Sequence, residues 1–312
     1  ITTFLAMAYI LAVNPGYLEA AGIPKAAAFS ATAISAAIAT FCMAFFANYP
    51  IALASGMGLN AFFAFTVCGA MGYSYQVALT AVFVEGIIFM ILSLFKFREA
   101  LVNKIPANLK FAITAGIGLF ITIIALLGAK VVVSSEATTV ALGDLSSAPV
   151  VLSLVGLLII GALEHYKVPG GILIGIIITW VLGMGAQLCG WYVPNPEAGV
   201  YSLFPDFSQS SFALPLFCDF DFGFVAKNLP SFLIITFTFL YTDIFDTVGT
   251  LIGVAEKGNL LDKEGKLPKA GAALMADAVG TVAGAVLGTS TVTSFVESSA
   301  GVSAGGKTGL AS

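Results

Sequence analysis

Charged side chains are scarce in this chain: thirteen Lys and Arg and seventeen Asp and Glu among 312 residues, with one histidine. Nowhere do the basic residues form the stripe or patch that a nucleic-acid surface needs, so no nucleic-acid partner is expected. Cysteine is also sparse. Cys42, Cys68, Cys189 and Cys218 lack metal-ligand spacing, and the first three fall in or at the ends of apolar runs, where they read as packing residues. No metal and no cofactor is implied. Absent too is any amphipathic soluble block. Hydrophobic residues make up 59% of the chain, charged ones 10%, and mean hydropathy is +1.01, which places it among polytopic membrane proteins.

Apolar stretches long enough to cross a hydrocarbon core of about 30 Å recur along the chain. They predict an all-α fold with ten embedded segments, at about 1–18, 26–48, 50–71, 75–97, 108–128, 148–164, 170–192, 230–255, 269–287 and 289–304. The longest stretch outside them, about 193–229, holds Asp206, Asp219 and Asp221 with many aromatics and reads as an outer-surface loop with an interfacial helix. Ten cationic residues lie on one side: Lys96, Arg98, Lys104, Lys110, Lys167, Lys257, Lys263, Lys266, Lys269 and Lys307. Lys25, Lys130 and Lys227 lie on the other, so the positive-inside rule puts the N-terminus in the cytoplasm. The chain opens at Ile1 and stops at Ser312 within such sequence, and it is read as part of a longer protein. Short loops and the absence of targeting signals suggest a bacterial-type inner or plasma membrane.

Three acids interrupt the apolar segments. Glu297 lies in the Gly-interrupted run Gly288–Val302, while Asp243 and Asp246 lie in segment eight. An ionisable residue at such depth is a candidate functional residue by default. Segment three, with Gly56-Met57-Gly58-Leu59-Asn60, has the same outline as segment ten: small residues and glycine, then a polar side chain. Seven segments separate the two. Paired broken segments in two inverted halves point to a transporter binding site, because broken backbone must line a protein-enclosed cavity. Asn60 and Glu297 are expected to face one another across it.

These motifs, Asp246-Thr247-Val248-Gly249-Thr250-Leu251, Thr293 to Val302 running into Gly305–Leu310, and Gly56–Asn60, resemble the xanthine/uracil permease superfamily in its adenine-guanine-hypoxanthine branch. The similarity spans essentially the whole chain. It implies a seven-plus-seven inverted-repeat transporter with core and gate domains and with segments three and ten discontinuous. Residues 1–192 would be the first repeat, 193–229 an extracytoplasmic loop and 230–312 the start of the second, with segments eleven to fourteen outside this chain. It further implies that Asp246 and Glu297 hydrogen-bond a nucleobase, with Asn60 in the segment-three position. Uracil-type relatives carry Glu where this chain has Asp246. The shorter arm leaves room for a purine such as hypoxanthine, guanine or adenine.

Elementary chemistry is consistent with that implication. A nucleobase is neutral, planar and edged with N–H donors and ring acceptors, so it needs carboxylates, an amide and backbone groups. Phe62, Phe245 and Phe295 are candidates to stack on the ring, against ordinary packing as the alternative. Burial disfavours a charged carboxylate, so proton symport is expected, carried by Glu297, Asp246, Asp243 or Asp277. For Asp243 and Asp277 a structural hydrogen-bonding role is the alternative. Glu85 reads as a tie between helices and His165 as interfacial. The run Gly301–Thr308 fits the phosphate-loop pattern letter for letter, but no strand and nucleotide domain precede it, so it reads as the exit of segment ten. Competing readings are an inorganic-anion carrier of the same architecture, a uracil/xanthine-type permease and a channel. Whether the protein is a monomer or a homodimer stays open.

Overall fold

The computed structural model describes residues 1–94, 107–135, 138–168, 170–195, 200, 202–204, 212–262 and 267–312. Lys96, Arg98, Lys104, Lys263, Lys266 and Asp206 lie outside these residues. Segment one is broken into α1 (Thr2–Met7) and α2 (Ile10–Ala20), followed by α3 (Lys25–Phe46). Segment three is strand β1 (Leu53–Ser55), helix α4 (Met57–Ala61) and a π-helical stretch Phe62–Ala70. Then come α5 (Tyr75–Leu94), α6 (Ala107–Gly128), a hairpin of β2 (Val132–Ser135) and β3 (Thr139–Leu142), α7 (Ala148–His165) and α8 (Gly171–Leu188). The short α9 (Phe222–Lys227) precedes α10 (Leu229–Lys257) and α11 (Ala270–Leu287), and segment ten is β4 (Val292–Ser294) with α12 (Ser298–Ser303). Among the described residues, α3, α5, α7, α8, α10 and α11 are long and apolar enough to cross a membrane. The protein is a helical, multi-pass membrane protein.

Residues Ile1–Ile117 with Ser210–Ser312 form one compact unit and Gly118–Gln209 another. This division follows packing, whereas a division at residues 192 and 229 follows chain order, so the two do not coincide.

In the first unit α11 packs on both α3 and α5. Its sequence explains why. A Cβ added at Gly280 would stand 2.7 Å from the Cβ of Ala39, and one added at Gly86 of α5 would stand 2.8 Å from Val282 Cγ2. Lipid is as apolar as Leu, so close backbone approach at small residues holds such helices together more than exclusion of water does. Around these contacts lie fully buried Met43, Leu53, Phe89 and Val292, and beside α10 a second cluster with Leu59, Phe63 and Phe239.

In the second unit α7 and α8 pack by the same device: a Cβ at Gly175 would stand 2.4 Å from Ile160 Cγ1, and one at Gly156 2.6 Å from Thr179 Oγ1. Leu157, Leu158, Val181 and Leu188 are exposed, as suits lipid. Sequence patterning did not anticipate the hairpin, whose register pairs Val132 with Leu142 and Ser135 with Thr139. Four β-branched residues, Val132, Val133, Thr139 and Val140, account for it.

Candidate functional site

The two broken segments meet as strands. Leu53, Ala54 and Ser55 of β1 pair antiparallel with Ser294, Thr293 and Val292 of β4, and all six residues are buried. Gly56 N–H donates to Thr291 O at 3.1 Å and Phe295 N–H to Ala52 O at 3.0 Å, extending the ladder at both ends. A two-stranded ribbon has two open edges, and unpaired backbone groups inside a membrane protein are costly. Here hydroxyls cover them. Thr40 of α3 accepts from Leu53 N at 3.0 Å and lies 3.3 Å from its carbonyl, while Thr281 of α11 donates to Val292 O at 2.9 Å. Extended backbone is favoured locally: Gly288 ends α11 at φ +86°, releasing the chain into Thr289–Val292, which is rich in β-branched residues.

Each strand leads into a helix start. Gly56 is the N-cap of α4 and Glu297 that of α12. A Cβ on Gly56 would stand 2.5 Å from Thr293 Cγ2 and 3.6 Å from Asp246 Oδ2, so the Asp246 carboxylate of α10 lies against the bare backbone where α4 begins. Asp277 and Glu297 are both near enough to act on it electrostatically. Asp246 makes no hydrogen bond among the described residues that would occupy its acceptors, and it retains some exposure. Glu297 is partly exposed, and Tyr9, at the interruption between α1 and α2, donates its phenolic hydrogen to Glu297 Oε1. Four segments, one, three, eight and ten, therefore meet at two acids.

Around them is a buried polar brace. Asp277 of α11 accepts from Ser294 at 3.0 Å and from Thr247 of α10 at 2.8 Å, and Thr247 also contacts Thr293 at 2.9 Å and Asp243 Oδ1 at 3.4 Å. Asn60, fully buried, accepts from Ser290 and donates to Ser55 O at 3.3 Å. Asn14 of α2 donates to Thr32 at 2.7 Å and to Thr289 at 2.9 Å.

The aromatic candidates are dispersed. Phe62 packs edge-on against Phe239 with ring centroids 4.9 Å apart, Phe245 edge-on against Tyr241 at 4.5 Å, and Phe295 lies among Met7, Ile10 and Ala54. Glu85 is fully buried on α5, and His165 at the end of α7 meets Tyr166 edge-on. In Gly301–Thr308 the first three residues are helical, and a Cβ at Gly301 would stand 1.9 Å from Thr3 Oγ1. That glycine serves close packing against α1.

Tyr9, Asn14, Thr40 and Thr281 were not singled out by sequence. A hydroxyl or amide is a weak polarity signal within an apolar run, and Tyr9 and Asn14 act on partners far away in sequence.

The model of a permease family, that of the xanthine/uracil permeases, matches residues 1–311. A guanine/hypoxanthine permease of Bacillus subtilis is 46% identical over 323 residues, covering 100% of this chain and 70% of that protein. An adenine permease of Escherichia coli is 41% identical over 310 residues, covering 99% of this chain and 66% of that protein. Among solved structures, the transmembrane domain of a cyanobacterial bicarbonate transporter, BicA, shares the architecture with a TM-score of 0.68 at 16% identity, over 99% of this chain and 78% of that one. The ladder of two broken segments, the apolar spans and a match from Ile1 to Ala311 agree: this chain belongs to the xanthine/uracil permease family, a family of transporters and not of enzymes.

Proposed function

We propose that the protein imports purine nucleobases (hypoxanthine, guanine and adenine) by proton symport through alternating access. The observation that carries this reading is the convergence of Asp246 and Glu297, from separate segments, on the ends of the paired strands. Two acceptors there suit the N–H edge of a neutral base. The relatives named for guanine, hypoxanthine and adenine transport support the choice of purines. Asp243 and Asp277 support the site through Thr247, or carry the coupling proton. The flat faces of Phe62, Phe245 and Phe295 are the stacking candidates, and Asn60 is the third binding residue beside Asp246 and Glu297, its side chain also tied to Ser55 and Ser290.

In this reading the fold is two inverted repeats of seven segments, 1–192 and from 230 onward, with the 193–229 connection outside the membrane. The protein lies in the cell membrane with its N-terminus in the cytoplasm. It acts as a monomer or a homodimer. An inorganic-anion carrier is disfavoured because Asp277 and Glu297 both lie within electrostatic reach of Asp246, and such a group of acids would repel an anion.

The test is uptake of radiolabelled hypoxanthine, guanine, adenine and uracil by the full-length transporter in proteoliposomes, with and without an inward proton gradient. Purine uptake that follows the gradient and is lost in Glu297→Ala supports the proposal. Accumulation of sulfate or bicarbonate, and of no base, overturns it.

A further inference from the structure

Tyr9 reaches Glu297 from the far end of the chain, 288 positions away. It sits where α1 gives way to α2, with backbone angles still helical at φ −57° and ψ −26°. Its ring packs on the small cluster that holds Met7, Ile10 and Phe295, so the phenol is held from both sides of the contact. The phenolic hydrogen goes to Oε1, and no other side-chain hydrogen bond to Glu297 is made among the described residues. Of the two carboxylate oxygens, Oε1 faces segment one, and the carboxylate also takes a backbone N–H of its own residue.

We infer that Tyr9 is a specificity-determining positioning residue, which takes one acceptor position of Glu297 Oε1 and so makes any ligand donor to that oxygen share it with the phenol. This rests on the nucleobase reading above and deepens it. An ionised carboxylate with both oxygens open matches two parallel donors at once, as in a carboxylate–guanidinium pair. Guanine presents such a pair, its ring N1–H beside the 2-amino group, whereas hypoxanthine presents N1–H alone. With Oε1 shared with Tyr9, the 2-amino group gains a weaker, competed-for partner on Glu297, and the two bases are received more nearly alike. Removing the phenolic hydroxyl frees that position on Oε1 and favours the paired edge.

The experiment compares KM for guanine and hypoxanthine in proteoliposomes of the full-length transporter, for the wild type, Tyr9→Phe and Tyr9→His, the last restoring a ring N–H. The expected result is that Tyr9→Phe shifts the KM ratio toward guanine by about two- to tenfold, the worth of one added hydrogen bond, and that Tyr9→His moves it back. A loss of packing alone would weaken both bases together and leave the ratio where it was. An unchanged ratio overturns the inference, whatever happens to total uptake. Competition in the wild type gives a second readout that needs no variant: guanine and hypoxanthine should displace labelled hypoxanthine equally within about twofold, and a tenfold advantage for guanine also overturns it. Uptake of neither base by the wild type overturns the functional reading itself and is told apart in that way.

Discussion

The two broken segments begin alike and end differently. Both run as a buried three-residue strand into a helix start, but β1 leads into a cap without a side chain, Gly56, whereas β4 leads into a cap that is itself an acid, Glu297. At the first end the carboxylate comes from outside: Asp246 of α10 stands beside Gly56, whose missing Cβ makes room for Thr293 of the partner strand. At the second the chain supplies its own carboxylate and borrows a phenol from segment one. The helices beyond differ too: the first continues through a π-helical stretch to Ala70, the second stops at Ser303. An acid can thus be delivered to a strand end by the segment itself or by a neighbour.

Four changes would break or sharpen that contrast. Glu297→Gln keeps the shape and still accepts from Tyr9 but removes the charge, and uptake is expected to fall about ten- to a hundredfold with membrane levels unchanged, read by initial rates. Gly56→Ala forces a methyl group against Thr293 Cγ2, and should lower stability by about 1–3 kcal/mol while pushing apart the strand end beside Asp246, so that melting in detergent and uptake fall together. Asp277→Ala takes the acceptor from Ser294 and Thr247, and about 1–3 kcal/mol of stability should go with it, whereas Asp277→Asn should recover part of the melting temperature. Val296→Ala, one residue before Glu297 but 58% exposed, should change melting and uptake least, by under about 0.5 kcal/mol. If Val296→Ala proves as damaging as Gly56→Ala, the two strand ends do not differ in the way described.

The spans and the interruptions were legible in sequence because each is a departure from a uniform background. Apolar runs mark the helices, and Asp243, Asp246 and Glu297 stand out against them. The pairing of β1 with β4 was not legible as strand: Leu-Ala-Ser and Val-Thr-Ser are too short to show a period of two. Their glycine neighbours betrayed the breaks and nothing more. The role of Asn60 was only half visible. Its polarity was plain, but its commitments to Ser55 and Ser290 depend on two segments meeting. Tyr9 was silent because a tyrosine in an apolar run is ordinary, and only its partner makes it informative. The hairpin between α6 and α7 was missed for a different reason, since a short β-branched patch between two helices carries too little pattern to outweigh a loop assignment.

The ladder between β1 and β4 also sets an order of events during synthesis. Ser55, whose hydroxyl lies 2.9 Å from that of Thr289, precedes it by 234 residues. At roughly 5–20 residues per second, segment three emerges from the ribosome some ten to fifty seconds before its partner exists. Through that interval its extended backbone needs other hydrogen-bond partners, because lipid offers none. Thr40 on α3 is made earlier and already reaches Leu53, which gives the waiting strand one attachment within its own half of the chain. Completion of the ribbon then becomes a late, long-range step in the assembly of the protein, and a translocon or chaperone that shelters segment three until then would be shielding the strand end that Asp246 later meets.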